Sequence, residues 1–319
     1  MPKNRRQFLA QAGMAAAAGL SAAPFAKAAP AAATRIMDTH THFYDPRRKG
    51  GVPWPPPDMP LYRPVYPKDW QAVASPHGVK ETVVVEASEW VQDNDWILDL
   101  AAKEKSIVGF VGNLEPMKPD FSAQLKRLAA NPLFVGIRRA SGFLYDNITK
   151  AEFRNGMKQL AERGLELDVN DRIPDGLKAI AKMAADIPDL RIVVDHCGKP
   201  DDAKHLSDDW KQGMKALAAQ KNVFCKVSGL MELSDAAIAN YGHGPKDPAY
   251  YLPILDHCWS CFGEDRLIYG SNWPVCEIGG SYADQFRIVE EYFAAKGAAA
   301  SEKYFWKNAL AAYRWKERG

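Results

Sequence analysis

Eight short runs rich in β-branched and aromatic residues recur along the chain. They cover Arg35–His40, Glu81–Glu86, Ile107–Val111, Phe134–Arg138, Leu165–Val169, Arg191–Asp195, Val223–Val227 and Arg266–Gly270. Between them lie stretches of helical periodicity, including Val91–Lys105, Ser122–Ala130, Ala151–Arg163, Pro174–Ala185, Ser207–Gln220 and Asp247–Phe262. A strand followed by a helix, repeated, builds a parallel sheet, because parallel neighbours need a crossover. Eight repeats favour closure into a (β/α)₈ barrel. An open doubly wound sheet is the alternative, but no G-x-G-x-x-G or P-loop marks a phosphate site for it.

The composition agrees with one large globular domain. The chain has 319 residues, 47% hydrophobic and 25% charged, with a formal net charge of +2. So small a charge argues against a nucleic-acid binder built around a basic stripe. Beyond the N-terminal region no apolar run reaches membrane-spanning length. That region reads as a twin-arginine (Tat) signal peptide over residues 1–28: Asn4-Arg5-Arg6-Gln7-Phe8-Leu9, an Ala/Gly-rich stretch, then Ala26-Lys27-Ala28 as cleavage site. The precursor is then a client of the Tat export machinery, and the mature protein is expected in the periplasm, with its domain over 34–316. The five cysteines are an odd number. Cys258-Trp259-Ser260-Cys261 falls in a helical stretch with no second C-x-x-C to complete a zinc site, so core filling is the expected role.

The first run ends in Asp38-Thr39-His40-Thr41-His42. On a strand, alternation would send Asp38, His40 and His42 to one face, and two imidazoles at a strand end suit a divalent metal. Residues 43–68 then form a proline-rich excursion containing Val52-Pro53-Trp54-Pro55-Pro56-Pro57. Proline excludes helix and central strand there. A loop of that length suggests a lid, with Trp54, Tyr62 and Tyr66 as candidate pocket walls, or else a stabilising flap.

Applied to each later strand end, alternation collects polar side chains on the barrel side. Glu86 and Ser88 come from the second, Asn113 from the third, Arg138 from the fourth, and Glu166, Asp168 and Asn170 from the fifth. His196, then Lys226 with Ser228, and finally Asn272 complete the ring, with Val83, Val85, Val135, Ile137 and Val193 expected to face the helices. A buried ring of His, Arg, Lys, Glu and Asp is costly as mere core, and barrel active sites sit at the C-terminal rim. His77, His205 and His257 read as surface or packing residues, and so does His243, though its loop follows the seventh strand.

Five motifs then follow in order: Asp38-Thr39-His40-Thr41-His42, Val135-Gly136-Ile137-Arg138-Arg139, Val194-Asp195-His196-Cys197-Gly198-Lys199-Pro200, Lys226-Val227-Ser228-Gly229-Leu230 and Tyr269-Gly270-Ser271-Asn272-Trp273-Pro274-Val275. Together they resemble the amidohydrolase-related family, in the branch of sugar-acid lactonases and pyrone-dicarboxylate hydrolase. The closing stretch Lys307–Arg314 is similar as well. The resemblance implies a (β/α)₈ hydrolase opening a lactone or related cyclic ester, a small-molecule substrate with a carboxylated ring among its forms. It implies His40, His42 and His196 as metal ligands, zinc being the expected ion, although some family members work without a metal.

His196 and Asn272 are the expected catalytic residues. Arg138, Lys226, Glu86, Asp168 and Ser228 are expected to bind substrate. Arg139 is expected to point away from Arg138. The family usually has Asp where Asn272 stands, and an amide cannot accept a proton. Two other outcomes therefore stay open: a decarboxylase or other hydrolase of an acidic ring compound, and a binding protein that lost turnover with that aspartate.

Overall fold

A computed structural model describes residues 35–170, 175–200, 202–232 and 243–318. The twin-arginine segment lies outside these residues, as does Pro174. Eight parallel strands run in sequence order: β1 Met37–Thr41, β2 Glu81–Val85, β3 Ile107–Gly112, β4 Phe134–Ala140, β5 Glu166–Asn170, β6 Arg191–Val194, β7 Val223–Val227 and β8 Leu267–Tyr269. The first and last strands meet through a parallel bridge between Thr41 and Trp273 and through Thr39 Oγ1, which donates to the Tyr269 carbonyl at 2.6 Å. The expected eight-stranded barrel is what forms.

Helices cover the outside: α1 Pro67–Ala74, α2 Asp93–Lys103, α3 Phe121–Ala129, α4 Ser141–Asn147, α5 Ala151–Glu162, α6 Gly176–Asp186, α7 Asp208–Ala218, α8 Leu252–Phe262 and α9 Tyr282–Ala295. The short α10 Ala298–Glu302 passes through one π-helical turn, Lys303–Lys307, into α11 Asn308–Tyr313. The larger apolar core lies between helices and strands, with Val84, Ile137, Leu167 and Ile192 pointing into it from the sheet. A second core fills the barrel. Met37, Val83, Val85, Val108, Val111, Val135, Val193, Phe224 and Ile268 meet there, joined by Ala309, Ala312, Tyr313 and Trp315. The C-terminal helix thus plugs the barrel. Arg191 fixes it by donating from Nε to the Ala312 carbonyl at 2.5 Å.

Two expectations about facing are corrected here. Val83, Val85, Val135 and Val193 point inward, not towards the helices. A barrel interior is itself a packed apolar layer below its polar rim, so apolar residues do not mark the outer face. Asp38 does not share a face with His40 and His42. Its Oδ2 accepts from Trp70 Nε1 of α1 at 3.1 Å and from the Tyr282 hydroxyl of α9 at 3.3 Å, which puts it in the helix layer. The pairing of β1 with β2 slips between Asp38 and Thr41, and one extra residue there reverses the alternation before His40.

The proline-rich excursion is pinned at its base by an antiparallel bridge between Tyr44 and Val65. It returns Trp54 to the barrel mouth, with its ring 6.2 Å from His42 and 5.5 Å from Tyr44. Tyr62 is exposed, and the Tyr66 hydroxyl donates to Asp45 at 2.8 Å. Only Trp54 of the three reaches the imidazoles.

Candidate active site

His40, His42 and His196 come together at the C-terminal end of the barrel. The His40 ring lies 4.9 Å from His42, edge-on, and 4.5 Å from His196. All three are buried. Burial, reinforced by Arg138, pushes His42 down to about 3. Burial, with Lys226 beside His40 and His40 beside His196, holds the other two well below the usual imidazole range. Neutral imidazoles are the form that binds metals and accepts protons.

His196 reaches the rim through a tight turn after β6, in which His196 and Cys197 both adopt positive φ, 53° and 54°. Such a conformation is costly for residues with a side chain and persists only when its surroundings impose it. The turn is held by Trp210 Nε1, which donates to the Cys197 carbonyl at 2.9 Å. The ring is held by Ser228, whose Oγ lies 2.9 Å from Nδ1, and it packs on Gly229, where a Cβ would meet Nδ1 at 2.9 Å.

Below the imidazoles lies a charged layer with no exposure. Lys226 Nζ sits 2.7 Å from Asp168 Oδ2, 2.9 Å from Asp195 Oδ1 and 3.1 Å from His40 Nδ1. Asp168 also accepts from the Tyr313 hydroxyl at 3.0 Å, so the C-terminal plug touches the base of the site. Burial and the neighbouring Asp195 raise Asp168. Burial raises Asp195 too, but Lys226, His196 and Arg138 outweigh it and leave that carboxyl below its usual range. Lys226 is likewise kept charged: Asp168 and Asp195 outweigh the burial that works against it.

Arg138 stands nearer the opening. Its Nε donates to Glu86 Oε1 at 2.9 Å, Nη2 donates to the Glu86 carbonyl, and Nη1 lies 3.4 Å from His40 Nε2. Arg139 turns away, as alternation requires, donating to Asn113 Oδ1 at 2.7 Å and covering the Phe143 ring.

Asn272 follows β8 at a positive φ of 59°, which asparagine tolerates better than most residues. Its Nδ2 donates to Glu232 Oε1 at 2.7 Å, and its Oδ1 faces His42 Nε2 at 3.2 Å. His42 Nδ1 lies 2.9 Å from the Val85 carbonyl, which can only accept, so the ring proton is on Nδ1. With Glu232 ionised, two acceptors therefore face each other, a pair that a proton donor or a cation satisfies. Burial raises the Glu232 carboxyl to about 7, and its Oε2 is buried without a hydrogen bond.

The barrel thus gathers His40, His42, His196, Ser228, Arg138, Glu86 and Asn272 around one opening, with Lys226 and Asp168 beneath them. Sequence reasoning assigns no role to Asp195 or Glu232. Asp195 immediately precedes His196 inside a quoted motif. Glu232 stands four residues after Ser228, in the loop after β7 that the rim argument stopped short of.

The arrangement fits a divalent metal. His40, Asp195 and His196 each offer a ligand atom within 4.8 Å of the others, and the buried Asp195 carboxylate keeps Oδ2 without a hydrogen bond while its Oδ1 faces Lys226 Nζ. His42 adds a third neutral imidazole beside His40.

Comparison with known proteins agrees with this geometry. A lactonase of Burkholderia ambifaria, L-fucono-1,5-lactonase, is 32% identical over 78% of this chain and 83% of its own. The 4-sulfomuconolactone hydrolase of Rhizobium radiobacter is 26% identical over 74% of this chain and 75% of its own. Among solved structures, an amidohydrolase from Burkholderia multivorans with bound zinc has a TM-score of 0.79 at 25% identity, covering 88% of this chain and 100% of that one. The sequence profile of the amidohydrolase family matches residues 37–315, and the chain belongs to that family.

Proposed function

We propose that the protein hydrolyses a lactone of the sugar-acid type, with Glu232, poised by Asn272, accepting the proton of the attacking water. The observation that carries this reading is the Glu232–Asn272 pair. It restores a carboxylate beside an amide that cannot itself act as a base, and that carboxylate titrates near neutrality, where a general base is most effective. The names of the lactonase and sulfomuconolactone hydrolase relatives support the ring ester as substrate.

The reaction balances within the site. Water oxygen bonds to the acyl carbon while its proton passes to Glu232. The ring C–O bond then breaks, the leaving alkoxide takes a proton back from Glu232, and the hydroxy acid departs. Arg138, held by Glu86, faces the developing oxyanion with its guanidinium, and a charge-assisted donor there favours the transition state over the neutral carbonyl. His196 is kept neutral with Ser228 on Nδ1, which leaves Nε2 as its one free ligand nitrogen. Lys226 and Asp168 are proposed as positioning residues, since each is fully buried and already paired. Zinc, held by His40, His42, His196 and Asp195, would supply Lewis-acid polarisation of the carbonyl and acidify the attacking water.

For the N-terminal segment we propose twin-arginine export to the periplasm, on the strength of Arg5-Arg6 and the small-residue site ending at Ala28. Replacing both arginines by lysine should leave the precursor uncleaved in the cytoplasm. The catalytic reading is tested by a panel of aldonic 1,4- and 1,5-lactones, assayed with a pH indicator before and after chelation and zinc return. Turnover of at least one lactone, lost on chelation and restored by zinc, is the expected result. Full activity after complete metal removal would overturn the metal's part, and no turnover of any lactone would overturn the substrate class.

A further inference from the structure

We propose that Cys197, Cys225 and Cys258 form a coordination site for one soft, thiophilic cation, with Cu(I) as its probe, directly behind the His196 imidazole. Three of the five cysteines converge there from separate elements: Cys197 from the turn after β6, Cys225 from β7 and Cys258 from α8. Their sulfur atoms all lie within 4.8 Å of one another, and all three are fully buried free thiols. Three sulfurs around an ion at a metal–sulfur distance of about 2.3 Å stand about 4 Å apart, so sub-ångström adjustments complete the set. No histidine or carboxylate joins the group among the described residues. Zinc prefers four ligands, whereas thiolates in low coordination number suit Cu(I).

The surroundings are apolar core, and Cys261, the other half of the C-x-x-C, is turned away with its sulfur 3.5 Å from His257 Nε2. Loading forms copper–sulfur bonds and releases thiol protons to solvent, with no electron transferred.

The site is coupled to the rim. Cys197 is covalently next to His196, and Cys225 lies three residues before Ser228, whose hydroxyl holds the His196 ring. Drawing the sulfurs together therefore displaces His196 and its brace at once.

The test is an anaerobic Cu(I) titration of the purified protein against a competing chelator, with X-ray absorption to identify the neighbours of copper. We expect one tightly held Cu(I) in a sulfur-only shell. Cys258→Ser should lose it while keeping basal lactonase activity, and Cys261→Ser should retain it. In the wild type, loading should lower kcat at least about tenfold, because a fraction-of-an-ångström shift of a reacting group is that costly. Nitrogen neighbours around copper, equal binding by Cys258→Ser, or no binding against the competitor would each overturn the proposal. The absorption readout does not depend on turnover, so it stands apart from the lactonase reading.

Discussion

Asn272 stands between His42 and Glu232, so a substitution there acts on both neighbours at once. Asn272→Asp brings a second carboxylate to within 2.7 Å of Glu232, and two carboxylates that close do not both ionise. The variant should show kcat about tenfold or more below wild type at pH 7 and an activity limb moved to higher pH, since the first proton now binds the pair more tightly. A variant faster than wild type across the pH range would mean that the amide is a loss rather than a part of the site. Lys226 is the opposite case, a fully buried cation whose two carboxylate partners depend on it. Lys226→Met should cost about 3–5 kcal/mol of stability, because it strands buried charge on Asp168 and Asp195. Urea unfolding measures this. A loss under about 1 kcal/mol would show those carboxylates to be neutral in the native protein.

At the scale of elements, the eight-strand rhythm was legible because parallel strands and crossover helices leave two distinct periodicities. The identities of most rim residues followed from strand ends. What could not be read was phase. The slip in β1 that turns Asp38 into the helix layer has no glycine or proline to announce it, and it shows only in the pairing with β2. Inward-facing valines such as Val83 and Val135 look like outward-facing ones when both sides of a strand are buried. Glu232 was missed because it sits on a loop, where alternation says nothing. The plug by α11 was equally hidden, since the tail Asn308–Tyr313 looks like any amphipathic helix. Its tie to the site is the Tyr313 hydroxyl on Asp168. Tyr313→Phe should therefore destabilise by about 1.5–3 kcal/mol, the scale for a hydrogen bond to a charged group, with kcat changed less than about threefold. Thermal unfolding and steady-state kinetics on one preparation separate the two effects.

For the molecule as a whole, the buried imidazoles set how stability responds to acid. His42 binds a proton near 3 in the folded chain but near 6.5 once unfolded. Between those values the unfolded state holds more protons, so stability is lost as the pH falls from about 6.5 towards 3, by up to about 1.4 kcal/mol per pH unit for that group alone. Glu232 acts in the opposite sense. Its folded value near 7 exceeds its unfolded value, so its contribution is complete at low pH and disappears as the pH rises through 7. In urea unfolding of the metal-free protein from pH 5 to 8, His42→Gln should lose less stability than wild type as the pH falls below 6.5, and Glu232→Gln should lose less than wild type as the pH rises towards 7.

The pH dependence of kcat/KM for lactone hydrolysis, in wild type and Glu232→Gln, tests the central claim most directly. Glutamine keeps the acceptor for Asn272 Nδ2 and removes the base. The wild-type profile should rise with pH through about 7 and then level. The variant should lose about 10²–10⁴ in rate together with that limb, as removal of a general base does. A variant that retains both the wild-type rate and the rise through neutrality would contradict the account.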